Sequence, residues 1–406
     1  MSAARNQAHH HRGLAMLLAG LSAIGPFSTD TYLPSFREIG KEFAVPQLVV
    51  QQTLTAYMVP FAAMTIWQGA ISDALGRRRV TLTMLALFFC ASIGCMFAWN
   101  IGALLAFRAL QGMTAGAGMV IGRAVVRDVL DGAEAQRLMS HVAIMFALAP
   151  SLGPVVGGWL HVWFGWRSVF AFLALFAGTM WYACWRAMPE TLPPHLRQPL
   201  QAKALLRGYV DALRSVPFVA LVLALTLNFS ASFVYIVSAP AFLLGHLHLA
   251  ETQFLWLFAP ISLGILFGTW ISARLAGRVS RGRTVAFGYS IMGVAALGNL
   301  AFNTLHAPAL PWSIVPLVLY LLGNSIAVPS LTLMALDLFP TRRGLASSCQ
   351  SFSQSSGNAI VTAIIAPLAW GTALNLSIAM ATLLTGAMTI YVGYLFIQRR
   401  KQAAAV

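Results

Sequence analysis

Twelve apolar runs divide this sequence, each about 20 residues long, the length that crosses a bilayer as a helix. They cover 13–35, 48–70, 80–98, 101–124, 138–160, 168–187, 216–241, 253–273, 284–304, 312–335, 345–367 and 375–397. In hydrocarbon each spanning segment has to satisfy its own backbone, and separate runs of this length do so as α-helices. The expected fold is therefore an all-α membrane protein of 12 transmembrane helices. Composition agrees: 58% of the 406 residues are hydrophobic and 9% are charged, against about 25% charged in ordinary soluble domains.

The formal net charge is +15. A nucleic-acid partner would call for a basic face or tail, and none is present: Lys and Arg recur in short loops between the apolar runs, which points to lipid on either side. Basic residues mark cytoplasmic loops. With both termini cytoplasmic, that side takes Arg77, Arg78, Arg79, Arg123, Arg127, Arg137, Arg278, Arg281, Arg342, Arg343 and the Arg399–Lys401 cluster, while the outer side takes only Arg37, Lys41 and Arg167. The expected location is the inner membrane. Cys90, Cys95, Cys184 and Cys349 lie in or beside apolar runs with no CxxC spacing, no HExxH or other metal pattern occurs, and no Walker A sequence is present. Neither a cofactor nor a metal is expected.

The longest loop, 188–214, separates an amino-terminal half (1–187) from a carboxy-terminal half (215–406), each with six runs. A faint repeat relates them. Gly76-Arg77 recurs as Gly277-Arg278, 201 residues on, and Asp128 recurs as Asp337, 209 residues on. Parallel repeats of this kind are characteristic of secondary transporters.

Within the runs, charge is rare. Asp30, in the stretch GPFSTDTYLP, is the only carboxylate inside one of them. A charged side chain at membrane depth costs roughly 2.5–3.5 kcal/mol on insertion scales, so it requires a partner, a cavity or a proton; the bland alternative is an interfacial helix cap. Arg108 lies about seven residues from the outer end of the fourth run, roughly 10 Å deep, and Asp30 lies at a similar depth in the first. The two are candidates to pair or to share a cavity as the proton-coupling site.

Polar stripes mark the second half: Asn228, Ser232 and Tyr235 in the seventh run, Asn324 in the tenth, and Gln350, Gln354 and Asn358 in the eleventh. Such stripes serve either as ligand contacts or as glue between helices. The loop GAISDALGRRR, Gly69–Arg79, combines two glycines suited to close packing and a tight turn, Gly69 and Gly76, with Asp73 and a row of arginines. In the fifth run Gly153, Pro154, Gly157 and Gly158 remove side chains and one backbone donor, which permits a kink and close helix approach.

At these residues the chain resembles the major facilitator superfamily. The Gly69–Arg79 loop is similar to its motif A, FRALQG with Arg108, Gln111 and Gly112 to its motif B, and APSLGPVVGG to its motif C, usually associated with antiporters. STDTYLP, Arg127-Asp128 and PETLPP add a likeness to the Bcr/CflA drug-resistance branch. The resemblance implies two pseudo-symmetric six-helix halves, a monomer, and a non-enzymatic, proton-coupled exporter of small drug-like molecules. It implies a cytoplasmic latch of Gly69, Asp73, Gly76, Arg77 and Asp128. A central cavity would be lined in part by the first and fourth spans, which places Tyr32 and Gln111 toward substrate together with Asn228, Tyr235, Asn324, Gln350, Gln354 and Asn358. In the second-half copy, SARLAGR, Arg274 stands where Asp73 would align, so no equivalent charge switch is expected there. The rival readings are an exporter or facilitator of natural metabolites such as nucleosides or amino acids and, remotely, a polytopic membrane enzyme.

Overall fold

The computed structural model describes residues 2–129, 151–197, 202–340 and 342–403, and among these no strand occurs. The chain forms two compact units, Met1–Leu200 and Gln201–Val406.

In the first unit, α1 (Ser2–Asp30) is followed by a single 3-10 turn (Leu33–Ser35) and a short α2 (Phe36–Glu42). After these come α3 (Gln47–Leu75), α4 (Arg77–Met96), α5 (Ile101–Ala115), α6 (Ala117–Val129), the helical residues 151–164 (α7) and α8 (Arg167–Ala187). The Asn100 side chain caps α5 by accepting the Ala103 N–H at 2.8 Å, which satisfies an amide that the helix itself leaves free. α3 packs on α5, α4 on α5 and α8, and α1 on α6 and α8. Leu54, Phe88, Leu104, Val169 and Phe170 are buried between them.

The second unit contains α9 (Ala202–Arg214), α10 (Val216–Val237), a π-helical stretch Pro240–His246, α11 (Leu255–Leu275), α12 (Arg281–Leu305) and α13 (Val315–Asp337). It closes with α14 (Arg343–Ile360), a second π-helical stretch Val361–Ile365, α15 (Ala366–Ala369) and α16 (Ala373–Ala403). α10 is its centre, packing on α13, α14 and α16. That agrees with an apolar run on every face, since a helix hydrophobic all round belongs in a protein interior or a bilayer.

Nine helices among the described residues are long and apolar enough to cross a membrane. The other three expected spans differ for separate reasons. The first run, expected as one helix over 13–35, breaks after Asp30, because Pro34 has no N–H to give the Asp30 carbonyl. The fifth, expected at 138–160, is described only from residue 151 onward; its first half, with Arg137 before it and Ala149-Pro150 of the glycine motif, lies outside the described residues. The eleventh is rich in Ser, Gln and Asn and passes into a π-helix at Val361. The expected loop 188–214 is itself divided. Residues 188–197 stay with the first unit, and α9 packs on α10 and α14 in the second.

Candidate functional site

The break in the first helix organises the first unit. Thr31 N–H still reaches the Phe27 carbonyl at 3.2 Å, but the chain then turns into the 3-10 stretch. The Ser28 carbonyl is instead met by Arg108 of α5, whose Nη1 donates to Ser28 O at 3.0 Å, to Ser28 Oγ at 3.2 Å and to Gln111 Oε1 at 2.9 Å. Gln111 is held in turn: its Nε2 donates to Ser92 Oγ at 2.8 Å. The guanidinium carbon lies 4.9 Å from the centre of the Tyr32 ring and 4.5 Å from that of Tyr57, so two aromatic faces flank the charge. Tyr32 is fixed by a 2.7 Å hydrogen bond between its hydroxyl and Thr53. Arg108 is fully buried, and its Nε and Nη2 have no hydrogen-bond partner among the described residues.

Asp30 is also buried, at 5% exposure. One carboxylate oxygen accepts the Thr29 hydroxyl at 2.9 Å. Among the described residues no ion pair joins Asp30 to Arg108. Equal depth does not put two groups on one face: at about 100° per residue, positions 28 and 30 of a helix point roughly 200° apart. Arg108 takes the Ser28 side. Asp30 takes the α7 side, where a Cβ built on Gly153 would lie 3.0 Å from its own. One turn along α7, Gly157 meets the Thr31 backbone so closely that any side chain would overlap its carbonyl oxygen. Pro154 and Gly158 are buried beside them.

At the other end of the unit, Gly76 adopts a φ of 99° and turns the chain from α3 into α4. The turn brings Arg77 back over α3, and its side chain is largely buried. Its Nη1 lies 2.5 Å from Asp73 Oδ1 and donates to Ser72 Oγ at 2.5 Å, while Nε donates to Asp128 Oδ2 of α6 at 3.2 Å. Gly69, two turns earlier on α3, faces Val120 of α6. Two further residues join the cluster. Glu190 Oε1 accepts the Arg77 backbone N–H at 2.9 Å, capping α4, and Thr191 donates to Asp128 at 3.0 Å. Both belong to PETLPP, which the sequence offers only as a likeness.

In the second unit the polar stripes divide. Asn228 donates to the Tyr289 hydroxyl at 3.0 Å and receives the Tyr320 hydroxyl on its carbonyl at 2.9 Å. Tyr235 takes the Asn299 amide at 2.8 Å and meets Ser377 at 3.3 Å, and Asn303 donates to Ser377 at 2.8 Å. Gln350 donates to Thr332 at 3.1 Å. These contacts tie α10 to α12, α13 and α16, and α13 to α14. The Oδ1 atoms of Asn228, Asn324 and Asn358 are buried with no hydrogen-bond partner among the described residues, and Gln354 is half-buried. The motif A copy is built differently: Arg274 stacks on Trp270 at 4.6 Å, and Asp337 pairs with Arg281 at 2.6 Å and Arg343 at 2.9 Å. The absence of an Asp73 counterpart thus does not leave that end without ion pairs.

Residues 16–362 match the family model of the Major Facilitator Superfamily. The chain belongs to that superfamily. It is accordingly a multi-pass membrane transporter of small molecules and not an enzyme. It is 29% identical to the uncharacterised MFS-type transporter YdgK of Bacillus subtilis, over 82% of this chain and 84% of that one. It is 23% identical to the bicyclomycin resistance protein homolog of Haemophilus influenzae, over 88% and 90%. A crystal structure of a mutant of the peptide transporter POT with alafosfalin bound superposes with a TM-score of 0.74 at 15% identity, over 95% of this chain and 93% of that one.

For a superfamily member, the sequence left several site residues unread. Tyr57 is one aromatic among many in an apolar run, and nothing in the spacing says that it faces Arg108. Asn299 and Asn303 carried a usable signal, two amides four residues apart in an otherwise apolar span.

Proposed function

We propose that the chain is a secondary active exporter of the Bcr/CflA branch, a proton-coupled antiporter that moves small drug-like molecules out across the inner membrane by alternating access. Twelve spans in two six-helix halves, both termini in the cytoplasm and a monomeric state complete the reading, which the basic inner loops support. The observation that carries it is Asp30: a carboxylate at 5% exposure, inside an apolar helix cluster, with no cation paired to it among the described residues. A carboxylate at membrane depth requires a partner, a cavity or a proton, and a proton carrier meets that requirement.

In this reading Asp30 takes a proton from the outside and loses it inside after the halves rock. Arg108, set in its aromatic clamp by Gln111, Tyr32 and Ser28, supplies the positive field that favours proton release. Asn228, Asn324, Gln354 and Asn358 offer polar atoms to substrate, whereas Tyr235 and Gln350 shape the cavity through their neighbours. The Asp73–Arg77–Asp128 latch biases one state of the equilibrium. Motif C, Gly153 to Gly158, lets α7 sit directly on the break. A membrane potential adds about 2.3 kcal/mol per charge per 100 mV, so one net charge per cycle moves the substrate ratio substantially.

Purified protein in proteoliposomes loaded with bicyclomycin provides the test. An imposed pH gradient should drive bicyclomycin against its concentration gradient; Asp30→Asn should abolish that drive and leave counterflow exchange intact. Transport indifferent to the gradient and unaffected by the substitution would sink the antiport reading. Counterflow with nucleosides or amino acids in place of the drug addresses the metabolite alternative.

A further inference from the structure

The seam where α4 meets α8 ends in arginines that no carboxylate answers. Arg78 of α4 donates through Nη2 to the Trp185 carbonyl of α8 at 2.7 Å. The guanidinium carbon of Arg186 lies 5.9 Å from the centre of the Trp185 ring. Arg79, the next residue of α4, is exposed. Among the described residues none of the three pairs with a carboxylate, because those nearby are engaged: Asp73 and Asp128 with Arg77, and Glu190 with the Arg77 N–H and Arg197. A cation beside the last turn of a helix is favourable in itself. That accounts for one N–H of Arg78 and leaves the remaining guanidinium donors facing outward.

The apolar side of the seam has an order of its own. Leu175, Gly178, Trp181, Tyr182 and Trp185 recur at the spacing of one face of α8. Gly178 sets that face beside α4, where a Cβ built on it would lie 3.4 Å from Phe89. Leu175, Trp181, Tyr182 and Trp185 are nevertheless exposed, and the rings of Trp181 and Trp185 stack at 6.4 Å with 3° between their planes. The face therefore passes from aliphatic through aromatic to cationic. From Leu175 to Arg186 the helix rises roughly 16 Å, about half of a 30 Å hydrocarbon core, and tryptophan and tyrosine belong at that boundary. This is the chemical order of a phospholipid from acyl chain to phosphate.

The other end of α8 lacks the last step. Trp159, Trp163 and Phe164 of α7 are exposed there too. In the corner where α2 meets α8, however, Arg167 pairs with Glu42 at 2.6 Å, and the Trp166 indole donates to the same carboxylate at 2.5 Å. An aromatic rim alone suits any bilayer. An aromatic rim above unanswered arginines is complementary to an anionic headgroup.

We propose that the α4–α8 seam binds one anionic phospholipid, its phosphate between Arg78 and Arg186 and its glycerol region and acyl chain along Trp185, Trp181 and Leu175. The lipid holds the start of α4 against the end of α8, directly beside Arg77. Only the assignment of the site to the cytoplasmic leaflet rests on the orientation proposed above.

Lipid titration of the purified full chain in a non-ionic detergent tests the site without transport. Dioleoyl phosphatidylglycerol and dioleoyl phosphatidylcholine carry the same chains, and the rise of the thermal midpoint with lipid concentration gives an apparent Kd for each. The wild type should bind the anionic lipid about tenfold more tightly than the zwitterionic one, a difference of 1.4 kcal/mol. Arg78→Gln/Arg186→Gln should bring the two within about twofold. Arg278→Gln/Arg283→Gln removes the same net charge elsewhere and should keep the tenfold preference. Inorganic phosphate at millimolar concentration should not displace the lipid. A wild type without the preference, a preference that survives in Arg78→Gln/Arg186→Gln, or an equal loss in the control pair overturns the proposal. Displacement by inorganic phosphate does so as well, since the site would then hold a free anion. If the double variant does not fold, Arg186→Gln decides: its preference should fall at least threefold, and an unchanged preference overturns the site. The lipid preference stands or falls whatever becomes of the antiport reading, because no gradient enters the measurement.

Discussion

Gly157 of α7 rests on the Thr31 carbonyl at the break in the first helix, with no room between them for a methyl group. The contact is backbone to backbone, so neither partner can rotate aside. Overpacking of this kind costs about 1–3 kcal/mol. Gly157→Ala should lower the thermal midpoint in nanodiscs by several degrees and abolish transport. Gly122→Ala, where the nearest atom is the flexible end of Leu18 at 3.6 Å, should do neither. Equal midpoints for the two variants would show that α7 does not bear on the break.

Glu190 makes a prediction about the latch. Its carboxylate caps α4 through the Arg77 N–H, and a Cβ on Gly76 would lie 2.5 Å from its other oxygen. Losing a cap costs about 1 kcal/mol. Glu190→Ala should lower the midpoint modestly and slow transport without touching substrate affinity. Arg77→Ala removes the only cation described between Asp73 and Asp128, and its effect on transport should be larger. Binding titrations beside transport rates separate the two quantities. A large change in affinity with either variant would move these residues from a latch to a ligand site.

The α2 corner also has an acid dependence. Partial burial raises the Glu42 carboxyl, but hydrogen bonds from the Trp166 indole and from Arg167 and the charge of Arg167 outweigh it and hold the group below the ordinary glutamate value. A depressed carboxyl contributes stability that is present above its unfolded value of about 4.3 and is lost as pH falls through the folded one. The midpoint of the wild type should therefore fall more steeply below about pH 4.5 than that of Glu42→Gln. Parallel curves for the two proteins would remove Glu42 from the acid response.

Much of the helix framework was legible because each apolar run is a complete statement about its own backbone in lipid. The Asp73–Arg77 ion pair was legible for a related reason: Gly76, Arg77 and Asp73 are neighbours in sequence, and a tight turn leaves them few arrangements. Faces were not legible. Asp30 and Arg108 share a depth, but only the break after Asp30 determines that Arg108 meets Ser28 while Asp30 meets Gly153. Nor does a stripe such as Asn228 and Tyr235 reveal whether its partner is a ligand or, as with Tyr289 and Asn299, another helix. That depends on which residue of a distant run stands opposite, and apolar runs resemble one another too closely to say.

Arg108 gives the sharpest separation of stability from function. Its guanidinium is fully buried with no carboxylate paired to it and with Nε and Nη2 unbonded among the described residues. Replacing a buried charge by an apolar side chain of similar length is often neutral or stabilising by about 1–4 kcal/mol. Arg108→Met should therefore keep or raise the thermal midpoint, with the thioether filling the space between Tyr32 and Tyr57, and should abolish gradient-driven transport. Arg108→Lys keeps the charge but cannot place one nitrogen on Ser28 and Gln111 while presenting a flat face to two rings. It should lose both stability and transport. The pair of variants distinguishes a functional charge from a structural one: a Met variant as destabilised as the Lys variant would mean that the guanidinium is a strut between α1 and α5. A stable Met variant that no longer couples means that the fold carries this charge at its own expense.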